Sequence, residues 1–78
     1  MDPNTLKSLI KKAIPDAEIF VEGDGYHYQT TVISDVFKDK SLVERQKLVY
    51  KAVSEHIQSG ELHALTIKTK TTHEWGLK

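Results

Sequence analysis

Two histidines stand where the chain turns into a strand. His27 lies in the stretch GDGYHY, Gly23 to Tyr28, and His63 lies in SGELHALTIK. Neutral imidazole is a common metal ligand, so two imidazoles brought to one point are a candidate metal site. A histidine at a strand end can equally be a plain polar residue, and its place in the fold decides between the two. The chain has no cysteine, which leaves no disulfide framework and no thiolate site of its own. Two further histidines carry weaker signals. His56 falls near the C-terminal end of a predicted helix, where a partly positive imidazole suits the helix dipole. His73 follows the last predicted strand and is expected to be solvated.

The elements that must position these residues are legible from spacing. Asp2 suits a helix N-cap, and Pro3 then takes the first helical position. Leu6, Leu9, Ile10 and Ala13 recur at helical spacing, and Pro15 disfavours helix at Ile14, so the helix should stop there. Ala17, Ile19 and Val21 alternate with Glu18, Phe20 and Glu22, a strand pattern. After the GDG turn, YHYQTTVIS returns as a second strand rich in β-branched and aromatic residues, and the two should pair as a hairpin. SDVFKDKS is a polar loop anchored by Val36 and Phe37. Ser41 and Glu44 form a capping box. Leu42, Val49, Ala52, Val53 and Ile57 give the stripe expected to be buried on a long second helix, which Gly60 ends. LHALTIKTK reads as a third strand, and TTHEW as a short helical turn with Thr72 as its cap and Trp75 packing back.

The resulting order, α-β-β-α-β, predicts an α+β fold with helices on one face of a three-stranded sheet. Strands joined through a crossover helix are usually parallel neighbours. If the second and third strands are parallel, His27 and His63 lie at the same end of the sheet. Tyr26 and Tyr28 alternate with His27 and should face the other side, as packing residues.

Composition narrows the function. The 78 residues suit one small domain spanning 1–78. Hydrophobic residues make up 38% and charged residues 28%, the profile of a folded soluble protein. No apolar run is long enough to span a membrane and no signal-peptide core is present, so the expected location is cytoplasmic. Eleven basic side chains balance eleven acidic ones. Three lysines face six acids up to Phe37, and eight basic residues face five acids from Lys38 onward. That tilt lacks the basic excess of a strong nucleic-acid binder.

The segments FKDKSLVERQKLVY and LHALTIKTKTTHEW, with the GDGYHYQ turn, resemble the BolA family, above all its short bacterial members. The resemblance covers nearly the whole chain, and its segments are specific taken together. It implies a fold related to the class II KH domain. It also implies a partner, a monothiol glutaredoxin, with which such proteins share a 2Fe–2S cluster. His63 matches the family's characteristic histidine ligand. His27 matches a loop position that holds a histidine or a cysteine in different members. On this reading the thiolates would come from the glutaredoxin cysteine and a bound glutathione. Histidine ligation of one iron would raise the cluster's potential, as in Rieske centres, and imidazole protonation would make the complex acid-sensitive.

One departure from the family bears on the rival reading. Many relatives carry a glycine in the loop before the long helix, where this chain reads FKDKS. Nucleic-acid-binding KH domains press a GXXG loop against the phosphate backbone. None stands here, although Lys38, Lys40, Arg45 and Lys47 cluster at the loop. That cluster is either a solvated loop and helix face or a contact for nucleic acid or an acidic partner. Some BolA-like proteins are described as transcriptional regulators, so DNA is the alternative partner. An enzyme is not expected: there is no cysteine nucleophile, no P-loop and no metal-hydrolase spacing, and Ser41 is explained by its cap. The resemblance also leaves room for a homodimer.

Overall fold

The computed structural model describes residues 2–23, 27–58 and 64–76. Helix α1 spans Pro3–Ala13. Asp2 caps it as the sequence predicts: its side chain accepts from the Asn4 N–H at 2.8 Å, and Pro3 occupies the first turn. The helix stops at Ile14, ahead of Pro15, with the Ile14 N–H donating back to the Ile10 carbonyl. Leu6 and Ile10 are buried. The third buried contact comes from Ile14, while Ala13, expected in the stripe, is exposed. Ile14, four residues after Ile10, continues the buried face of Leu6 and Ile10 at the cap.

Strands β1, Glu18–Gly23, and β2, His27–Ile33, pair antiparallel. A single 3-10 turn, Asp35–Phe37, follows. It drives Phe37 fully into the core, whereas Val36, its expected co-anchor, is 43% exposed. Helix α2, Leu42–Gln58, crosses to β3, Ala64–Lys70, which pairs with β2 in parallel. The sheet order is β1-β2-β3, so β2 is central. Helix α3, Thr72–Gly76, closes the described chain. The predicted α+β order and mixed sheet are therefore observed.

One buried cluster holds α1 and α2 to the sheet: Leu6 and Ile10 from α1, Val49 and Val53 from α2, and Ile19, Tyr28, Val32 and Ile67 from the strands, with Phe37 between. Period-two alternation sends Phe20 and Glu22 of β1, His27, Gln29 and Thr31 of β2, and Thr66, Lys68 and Lys70 of β3 to the opposite face. Trp75 folds over that outer face and stacks on Phe20, with ring centroids 5.7 Å apart and planes 25° from parallel. The tryptophan thus shields the back of β1 instead of the helix-covered core.

The capping box at α2 is formed. The Glu44 N–H donates to Ser41 Oγ at 3.2 Å, and the Ser41 N–H reaches Glu44 Oε1 at 3.4 Å. The buried stripe of α2 begins later than expected. Leu42 is 67% exposed, and Arg45 takes the first inward place at 9%. Only a residue that both packs and pairs could replace a leucine there. Arg45 does so through its stem and through two hydrogen bonds to Glu74. A second capping box stands at α3, one residue earlier than predicted: Thr71 Oγ1 accepts from the Glu74 N–H at 3.1 Å, and Glu74 Oε1 accepts from the Thr71 N–H at 2.8 Å. Thr72 is released from capping and donates its hydroxyl to Asp35 instead.

Candidate functional site

The strand-start end of the sheet is where the two histidine-bearing segments converge in sequence. His27 is the first residue of β2, and its register partner is Ala64, the first residue of β3. The imidazole of His27 is exposed on the outer face, beside a shallow hollow of about 390 Å³ shared with Glu22, Gln29 and Thr66. His63 lies outside the described residues, as do Tyr26, Gly60 and the Asp24–Gly25 part of the turn. The described residue that follows His63 is the one paired with His27. The parallel pairing on which the same-end expectation depended is observed.

What anchors His27 is legible at Gly23. A Cβ there would lie 2.3 Å from the His27 carbonyl oxygen and 2.5 Å from Cδ1 of Tyr28. Only glycine lets β1 run this close to the start of β2. Tyr28 fills the space below, 3% exposed, which is the packing role expected of it. His27 is thus held from behind by a buried ring and a backbone without a side chain.

In chemical terms this end of the chain offers imidazole nitrogen and no sulfur. Among the described residues no group of three or more His, Cys, Asp or Glu comes together to hold a metal ion. The exposed imidazole of His27 fits one position of a cluster's ligand shell and would leave the remaining positions to other donors.

The basic cluster is less available than its sequence suggests. Lys38 and Lys47 are exposed and Lys40 is half-buried. Arg45 is buried, with Nε donating to the Lys40 carbonyl at 3.0 Å and Nη1 to Glu74 Oε1 at 2.8 Å. Its guanidinium, followed by the Thr71 backbone N–H, holds the Glu74 carboxyl down at about 2. Arg45 therefore bridges α2 to α3, with its guanidinium engaged by Glu74. Between the lysines, Asp39 has φ of 63°. The loop keeps the left-handed residue that a glycine would supply, and fills it with an acid. Asparagine and aspartate tolerate that conformation best among residues with a side chain.

Of the other histidines, His56 falls in the last turn of α2. His73 is exposed on α3, over a hollow it shares with Asp35, Lys38 and Asp39. The Thr72 hydroxyl and N–H lower the pKa of Asp35. These contacts fasten α3 to the 3-10 turn. Among the described residues no helix is long and apolar enough to cross a membrane.

Comparison with known proteins identifies the fold. The family model described as BolA-like protein matches residues 8–74, and the chain belongs to that family. It is 35% identical over 75 residues to the acid stress protein IbaG of Escherichia coli K12, covering 96% of this chain and 89% of that protein. The structure of a BolA protein homologue from Coxiella burnetii superposes with a TM-score of 0.86 at 31% identity, over 97% of both chains. The BolA domain of SufE1 from Arabidopsis thaliana gives 0.80 at 31% identity, over 92% and 93%.

Proposed function

We propose that this protein is the histidine-donating half of a 2Fe–2S complex formed with a monothiol glutaredoxin, acting in iron–sulfur cluster trafficking or iron homeostasis and not as an enzyme. The observation that carries the reading is the parallel register. It pairs His27 with the residue following His63, in a chain that has imidazoles and no thiol. His63 is assigned as the principal ligand and His27 as the second. The cysteine of the glutaredoxin and a glutathione complete the shell. A bound cluster would supply a transferable iron–sulfur unit with one-electron chemistry. This chain's part is to present imidazole from the strand-start end of the sheet. The occurrence of a BolA domain in a SufE-like protein of Arabidopsis thaliana sits well with this assignment. The DNA-binding alternative is weakened by the burial of Arg45 and by Asp39 at the loop.

Anaerobic reconstitution with a monothiol glutaredoxin and glutathione tests the proposal, read by visible absorption and circular dichroism. Cluster bands should appear in the mixture and not on this chain alone. His63→Ala should alter the spectrum or make the cluster labile, and His27→Ala should do less. A stoichiometric cluster on the isolated chain refutes the reading. So does a mixed complex whose spectrum, potential and lability ignore His63→Ala.

A further inference from the structure

Among the described residues, four of the six exposed large hydrophobic side chains lie on one element, the others being Phe20 and Val36. Leu42 is 67% exposed, Val43 63%, Tyr50 46% and Leu48 36%, all of them on α2. Leu42, Val43 and Tyr50 line one wall of a groove of about 630 Å³, and Leu65 and Ile67 of β3 line the other. A groove of this size falls in the range of ligand-binding clefts. None of its lining residues belongs to the hollow beside His27.

Two features say what would lie in it. The first is charge. Lys47 and Lys51 rim the groove, and no described residue lining it is acidic. The second is backbone. Strand β3 is an edge of the sheet, and Gln46 Nε2 donates to the carbonyl of Ile67 at 2.9 Å. That carbonyl therefore points away from β2. Residues two apart along a strand share that direction, so Leu65 and Ile67 both present main-chain groups to the groove. An open edge beside an apolar wall is the arrangement that accepts an added strand, with main-chain bonds for affinity and alternate side chains for specificity.

We propose that the α2–β3 groove docks an extended segment of a partner protein in which acidic and apolar residues alternate. Its apolar side chains rest on Leu42, Val43 and Tyr50, and its carboxylates meet Lys47 and Lys51. Its backbone pairs with β3, displacing the side chain of Gln46. Nucleic acid fits less well. The walls are apolar, the adjoining loop carries Asp39 in place of a phosphate-cradling glycine motif, and exposed Glu44 stands at the head of α2. The site lies apart from His27, so its failure would leave the cluster reading untouched.

The probe is a short fluorescein-labelled peptide in which glutamate alternates with leucine and phenylalanine, titrated by fluorescence anisotropy. Three comparisons accompany it: the same peptide with lysine for glutamate, an oligo-dT strand, and amide chemical-shift mapping. The acidic peptide should bind, with shifts confined to α2 and β3, and should weaken with added salt. Lys47→Glu with Lys51→Glu should weaken it at least about tenfold, a loss of about 1.4 kcal/mol. Lys7→Glu with Lys12→Glu makes the same charge change on α1 and should leave binding within about twofold, a difference of under about 0.5 kcal/mol. Tyr50→Ala, at a half-exposed position, should weaken binding while the fold's spectrum is unchanged. The proposal is overturned by absence of binding, by equal binding of the lysine peptide, by tighter binding of oligo-dT, or by shifts that map elsewhere.

Discussion

Replacing Gly23 by alanine isolates the contact that sets His27. The added Cβ would stand 2.3 Å from the His27 carbonyl oxygen and 2.5 Å from the Tyr28 ring. Atoms at ordinary packing distance need about 1 Å more. One obstacle is backbone and the other a buried ring, so neither yields by rotating a free side chain. Overpacking of this kind costs about 2 kcal/mol. Alanine returns about 0.5 kcal/mol by restricting the unfolded chain. The net loss is about 1.5 kcal/mol, which lowers Tm by roughly 6–12 °C in a domain of this size. Gly76 is the internal control, since a Cβ there meets nothing within 4 Å. Its alanine variant should melt at the parent temperature or up to about 4 °C higher. Thermal melts by circular dichroism give the stabilities, and proton–nitrogen spectra of the imidazoles show whether His27 has moved. If Gly23→Ala melts with the parent and leaves the His27 signals in place, the close approach does not set that strand start.

Two further changes address the loop and α3. Asp39→Gly should stabilise the protein: the left-handed conformation costs a side-chain residue about 1–2 kcal/mol, and glycine's added unfolded-state freedom offsets part of it. A net gain of about 0.5–1 kcal/mol, or roughly 2–8 °C in Tm, is expected, and an unchanged or lower Tm counts against the argument. Glu74 lies below the ordinary glutamate value of 4.5, at about 2 in the folded state. A carboxyl lowered on folding contributes stability that is complete above its unfolded value and is lost as pH falls. Glu74→Gln should therefore flatten the profile of Tm against pH between about 4.5 and 2, with the largest deficit near neutrality; parallel profiles would refute the latch.

Elements whose signals are local were legible in the sequence. Asp2 and Pro3 opened α1, Pro15 closed it, and the Ser41–Glu44 pair opened α2. Each of these acts through neighbours one to three residues away. The misreadings at the two later helices share one cause, a partner distant in sequence. Leu42 has the right spacing for burial but lies beyond the reach of the sheet, whereas Arg45 is drawn inward by Glu74, 29 residues later. The α3 cap moved from Thr72 to Thr71 because Asp35 claims Thr72. The pairing of two strand starts was inferred through the crossover rule and needed the register to place His27 opposite Ala64. The clash at Gly23 left no mark in the sequence beyond the glycine itself. The α2 groove was foreseeable as exposed Leu42, Val43 and Tyr50 on one helix, had the wheel been drawn with its first turn outside the core.

The central position of β2 has a kinetic consequence. Its antiparallel neighbour β1 arrives through a tight hairpin, but its parallel neighbour β3 follows 37 register positions later, across all of α2. Loop closure of that length comes before any reward from the pairing, which slows topologies rich in distant contacts. Until β3 docks, β2 has one unpaired side and Val32 and Tyr28 lack much of their cover. The docking of β3 should then be the step that both covers β2 and brings Ala64 opposite His27. Completion of the fold and the placing of Ala64 opposite His27 are one event in this chain, so a protein with that pair in register has already finished folding.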